Sequence, residues 1–134
     1  MMAVWTGWLA VSAIILAVLV PIAHRLRTGQ RGAPGSKPIR ILVYVGMTTA
    51  ALAFVHTLVI IPSLGSPAAI AGGVEAMMAA GAAFFLLVAH AGLGLQLREP
   101  KLKERKKKRR AHTTTAVLIA LAVTAHVVLL RRGS

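Results

Sequence analysis

The sequence predicts an all-α protein, an integral membrane four-helix up-and-down bundle with both termini on the outer side. Of its 134 residues, 57% are hydrophobic and 14% are charged, and the charged residues are clustered instead of spread over a surface. Cutting the chain at its charges and prolines leaves four apolar stretches, each long enough for the roughly 20 residues that span a bilayer. Because the bilayer core offers no water to backbone amides, each stretch is expected to be a helix.

The four predicted helices belong to a single transmembrane domain, 1–134, because short links force neighbouring helices to be antiparallel. They cover about 3–23, 41–61, 68–95 and 112–130, with basic loops at 25–40 and 98–110. We expect the first helix to be retained and not cleaved as a secretion signal, because Met1 to Ala10 contains no Lys or Arg. The sequence has no cysteine, which excludes disulfides, thiolate metal sites and covalently attached c-type haem.

Lys and Arg counts in the links predict the orientation. The segment 25–40 holds five of them and the segment 98–110 holds nine, whereas the link 62–67 holds none. Positively charged loops stay in the cytoplasm, so both basic loops are predicted to lie inside. Trp5 and Trp8 then fall at the outer interface, where indoles prefer to sit. The predicted location is a bacterial inner (cytoplasmic) membrane, crossed several times.

The net charge is +13, and five of the 16 Lys and Arg residues form one basic tract at 106–110. A basic tract beside a helix end attracts anionic lipid headgroups, at about 1 kcal/mol per cation. No aromatic residue alternates with these charges, so nucleic acid is not an expected partner. Small residues along the helices favour close packing, which would also suit a homodimer or a subunit of a larger complex.

Five histidines occupy two predicted depths. His56 and His126 lie about 22 Å and about 21 Å above the inner ends of their helices, in the outer third. His90 lies near the inner end of the third helix, level with His24 and His112. An unpaired polar group in hydrocarbon costs several kcal/mol, so the deep imidazoles need a partner or a ligand.

Paired imidazoles from opposed membrane helices suit haem iron, which accepts two axial nitrogens and needs no cysteine. In an up-and-down bundle the second and fourth helices are diagonal, as are the first and third. The expected axial pairs are therefore His56 with His126 and His24 with His90. Two layers predict one or two haems of the b type.

This arrangement resembles, in architecture and histidine placement, the four-helix transmembrane di-haem cytochromes b. The resemblance implies electron transport across or within the membrane, with a quinone or a redox protein as partner. In that class two helices commonly carry two histidines each, whereas here only the fourth does, with His112 and His126. The inner partner of His90 is therefore either His24 or His112.

Other interpretations use the same residues. Glu75, the only acid within a span, is predicted about 10 Å below the start of its helix, near His56 and His126. These three could bind Zn²⁺ or another divalent metal, or form a proton relay. Alternatively, the deep imidazoles hydrogen-bond Glu75 or a backbone carbonyl, His24 and His112 contact headgroups, and the chain is a non-catalytic accessory subunit. No motif of a stand-alone enzyme is present.

Overall fold

The computed structural model of the protein describes residues 2–30, 32–33, 35–70 and 72–133. Every regular element within these residues is a helix, which confirms the predicted all-α class. The elements are α1 (Met2–Thr28), α2 (Lys37–Ile60), a 3₁₀ turn (Ile61–Ser63), α3 (Pro67–Ile70), α4 (Gly73–Gln96) and α5 (Arg105–Gly133). Arg31 of the basic loop and the terminal residues Met1 and Ser134 of the predicted domain lie outside the described residues.

Among the described residues, four helical segments are long and apolar enough to cross a membrane: α1, Lys37–Ser63, α4 and α5. This confirms the prediction of a multi-pass membrane protein. Few side chains are buried inside the chain itself, and most of those are small: Ala10, Ala13, Thr49, Ala76, Leu87 and Ile119. Large apolar side chains are exposed along all four segments, and such a surface is suited to lipid.

The helices extend beyond the predicted limits at their basic ends. Helix α1 continues through Arg25 and Arg27 to Thr28, and α5 begins at Arg105 instead of 112. A helix does not have to stop where hydrocarbon stops, because long cationic side chains reach water from its surface. The whole basic tract at 106–110 is therefore helical, and the loop between α4 and α5 is shorter than predicted.

The third predicted helix is interrupted near its start. A single turn, α3, is followed by a new start at Gly73, whose φ of 74° is in the left-handed region that favours glycine. Helix α4 thus begins later than the predicted residue 68. Because of this break, Glu75 lies in the first turn of α4.

The long helices pack as two hairpins, α1 with α2 and α4 with α5, and a smaller contact joins α2 to α4. A Cβ on Gly72 would lie 3.1 Å from the backbone of Leu130, and Ala76 contacts His126, so α4 and α5 run antiparallel. The rings of Phe54 and Phe84 stack between the hairpins, with centroids 6.5 Å apart.

Basic side chains hold the ends of the structure together. Arg105 donates hydrogen bonds to the carbonyls of Leu97, at 3.0 Å, and Pro100, at 3.3 Å, and so closes the loop after α4. At the opposite end the guanidinium of Arg131 lies 5.7 Å from the ring centroid of Trp8, which links α5 to α1.

The close approach at Gly72 predicts a difference between two glycines of this region. An added Cβ at Gly72 would lie 2.6 Å from the Cβ of Ala76, whereas Gly81 has open space around it. Gly72→Ala should therefore weaken the α4–α5 contact by roughly 1–3 kcal/mol through overpacking. Gly81→Ala should leave stability unchanged or raised. Thermal unfolding in detergent checks this, and equal melting temperatures would contradict the packing described.

Candidate functional site

Four imidazoles form two clusters along the hairpins. In the outer cluster His56 of α2 and His126 of α5 lie at the same end of the structure, where Thr6 of α1 contacts His56 and Arg131 of α5 lies over Trp8 of α1. In the inner cluster the rings of His90 and His112 stack face to face, with centroids 3.7 Å apart and planes 15° apart. The first pair joins different hairpins, whereas the second lies within the α4–α5 hairpin.

His56 is held by the first turns of α1. Its Nδ1 lies 3.0 Å from Oγ1 of Thr6. The same face of α1 carries Gly7, where a Cβ would lie 3.2 Å from Cε1 of His56. The absence of a side chain at Gly7 therefore allows the imidazole to lie directly against the helix backbone.

The other three imidazoles also use Nδ1 to bind a neighbouring helix. Nδ1 of His126 lies 2.9 Å from the carbonyl oxygen of Ala76, and Nδ1 of His112 lies 3.2 Å from that of His90. Nδ1 of His90 lies 2.9 Å from Oγ1 of Thr115. Each contact ties α4 to α5, so every one of the four embedded rings bonds across its own hairpin.

These partners determine which ring nitrogen carries the proton. A carbonyl oxygen can only accept, so Nδ1 of His112 and of His126 must donate. Thr6 and Thr115 each have one hydroxyl proton, and both hydroxyls lie within hydrogen-bond distance of backbone carbonyls of their own helices. Because that proton is directed to the carbonyl, each hydroxyl accepts from the facing Nδ1–H.

All four neutral imidazoles consequently have a free lone pair on Nε2. No hydrogen bond to any of these Nε2 atoms is found in the described part of the chain. Ser36 Oγ is the one buried side-chain polar atom left without a partner there, so the Nε2 atoms are accessible and not sealed in protein. An imidazole fixed through Nδ1 with an open Nε2 is the arrangement of a metal-ligating histidine.

The remaining predicted site residues lie elsewhere. His24 is half-buried near the end of α1 and does not join His90, whose ring is stacked on His112. Glu75 was expected to face the interior beside His56 and His126. Its side chain is instead exposed in the first turn of α4, although the next residue, Ala76, is buried and bonds His126.

No group of three or more His, Asp or Glu side chains within the described ranges is arranged to hold a metal ion. Glu75 is thus not gathered with His56 and His126. A hydrogen bond from a deep imidazole to a backbone carbonyl was one of the expectations, and His126 makes such a bond. That bond uses only Nδ1 and leaves the second nitrogen available.

Sequence reasoning missed Thr6, Gly7 and Thr115. A search restricted to ionisable residues overlooks hydroxyls, which are common in membrane helices because they bond their own backbone. A usable signal was present nevertheless, since Thr6 and Thr115 lie at the depth of a histidine on the neighbouring antiparallel helix.

Comparison of this chain with protein-family models, with curated proteins and with solved structures found no match.

The assigned tautomers can be measured in the haem-free protein. In detergent micelles, ¹⁵N spectra of histidine-labelled protein should show His56, His90, His112 and His126 with a protonated Nδ1 and an unprotonated Nε2. Thr115→Val should remove the hydrogen-bonded signal of His90 Nδ1 and leave that of His126 unchanged, since His126 bonds Ala76. Protons on Nε2 of these rings would contradict the assignment.

Proposed function

We propose that this protein is a transmembrane b-type cytochrome that transfers electrons, with His56 and His126 as the axial ligands of one haem. One observation carries the proposal: two imidazoles from different hairpins, at the same end of the structure, are both fixed through Nδ1 and both keep an accessible Nε2 lone pair. Haem iron binds two such nitrogens without any covalent attachment of the macrocycle.

The packing around the outer pair favours a ligand between the hairpins. Helices α2 and α5 do not pack closely on one another, in contrast to the tight packing inside each hairpin. A macrocycle could therefore enter between the hairpins without breaking either one. The exposed apolar side chains along the four spans would keep it in a non-aqueous environment.

The inner pair fits less well as it stands. The rings of His90 and His112 are in face-to-face contact at 3.7 Å, which leaves no space for a macrocycle between them. A second haem at this depth requires the two rings to separate, or His90 to pair with His24. The proposal is therefore limited to the outer haem. The number of haems bound per chain shows whether the inner histidines bind a second one.

Bound haem would supply one-electron chemistry, and the protein's own residues would hold and shield it. His56 and His126 bind from α2 and α5, while Thr6 and the Ala76 carbonyl fix their orientation. The proposed electron partners are a quinone or a redox protein at a membrane face. In a bacterial inner membrane, an up-and-down bundle with both termini outside would place the outer pair near the outer face, with the basic segments against anionic headgroups.

The metal-ion alternative draws less support. Two imidazoles would remain at the outer pair, but the exposed Glu75 does not complete a three-ligand set with them. Structural and catalytic Zn²⁺ sites need three or four protein ligands. Haem needs only two, which is the number that the outer cluster provides.

Haem binding is tested by the colour of the purified protein. Expressed with haem available, the wild type should show a Soret band and a reduced-minus-oxidised α-band. His56→Ala or His126→Ala should abolish the outer haem, because each removes an axial ligand. His112→Ala, on the same helix as His126, is the matched control and should keep it.

A colourless wild type would refute the proposal, and so would a haem retained unchanged in both outer variants. The stoichiometry gives a separate answer. About one haem per chain is expected if only the outer pair binds, and about two if the inner layer also binds.

The orientation can be tested independently because the native chain has no cysteine. Single variants Ser63→Cys and Lys103→Cys lie in the two links that are predicted to face opposite sides. A membrane-impermeant maleimide applied to intact cells, after permeabilisation of any outer envelope, should label the Ser63 variant and not the Lys103 variant. Both should react after lysis, and the reverse pattern would overturn the proposed orientation.

A further inference from the structure

The first turns of α1 give His56 both a hydroxyl and a glycine, whereas His90 faces only the hydroxyl of Thr115 and His112 packs on Gly94 without a hydroxyl. Two adjacent positions take part, namely a hydroxyl at 3.0 Å from Nδ1 and a glycine whose missing Cβ leaves room for Cε1. His126, by contrast, bonds a main-chain carbonyl of α4. One proposed axial ligand is therefore oriented by side-chain chemistry and the other by backbone alone.

The Thr6 hydroxyl is itself fixed. It lies 3.1 Å from the carbonyl oxygens of both Met2 and Ala3, so its proton is directed along α1 and its lone pairs face the histidine. Thr6 thus acts as a fixed acceptor that holds His56 in one tautomer and one rotation.

We propose that Thr6 and Gly7 form a positioning element for His56, with Thr6 orienting the ring and Gly7 setting how closely the ring approaches α1. This inference rests on the proposed function for its effect on haem, although the contacts themselves do not. Neither residue touches the iron, so both act through the histidine.

A physical consequence follows for the proposed haem. An acceptor on Nδ1–H raises the basicity of a ligating imidazole and fixes its orientation. A more basic ligand stabilises the oxidised, more positively charged iron. Removing the acceptor should therefore weaken haem binding and raise the midpoint potential.

The matched variants are Thr6→Val and Thr57→Val. Valine keeps the shape of threonine and removes the hydroxyl. Thr57 is next to His56 in the chain, but its hydroxyl bonds only the carbonyl of Ala53, at 3.0 Å. Thr6→Val should weaken haem affinity on the order of tenfold and raise the midpoint potential. Thr57→Val should change neither, and Thr6→Ser should restore both.

The second arm uses glycines. Gly7→Ala introduces a Cβ at 3.2 Å from the imidazole and should accelerate haem loss, whereas Gly46→Ala on α2 meets nothing within 4 Å and should not. Haem loss is measured by transfer to excess apomyoglobin, and the potential by redox titration.

The outcomes separate the two proposals. A wild type that takes up no haem refutes the proposed function. A wild type that binds haem through His56 and His126, with Thr6→Val and Gly7→Ala matching it in haem loss and potential, overturns the positioning role alone.

Discussion

Hydrocarbon imposes one requirement on an imidazole within a membrane span: a polar ring atom there must find a partner within the chain or bind a ligand, because water is absent. In each of the four embedded histidines, one of the two ring nitrogens has such a partner. Each uses Nδ1 to reach a hydroxyl or carbonyl on the adjacent helix of its hairpin. The tautomer and the accessible Nε2 both follow from that bond.

The two clusters differ because they lie at different kinds of interface. His90 and His112 belong to one tightly packed hairpin, where the rings can only stack on each other. His56 and His126 come from separate hairpins that are joined more loosely, partly through Phe54 and Phe84. A large flat ligand can enter the second kind of interface at lower cost, since helix packing inside the hairpins is left intact.

Hydropathy and charge were enough to predict four apolar helices, since both depend on composition over about 20 residues. They could not predict that α5 starts at Arg105, because a basic helix end and a basic loop have the same composition. Depth, counted along the chain, placed His90 and His112 on one level. Whether the two rings stack also depends on how each helix is rotated about its axis, and the pattern of small residues does not determine that rotation. Glu75 does lie beside Ala76, which bonds His126, but its side chain is exposed because depth along the chain does not fix helix rotation.

Each of the four histidine hydrogen bonds joins two helices of the same hairpin, and this has a consequence for how the chain assembles. A pair of helices that supplies its own polar partners can be complete soon after insertion, without waiting for the rest of the bundle. Helices α1 and α2 would carry His56 already oriented by Thr6, and α4 and α5 would carry His126 already bonded to Ala76. Association of the two hairpins would then be a late step between two preformed units. A ligand bound by both hairpins would stabilise that association.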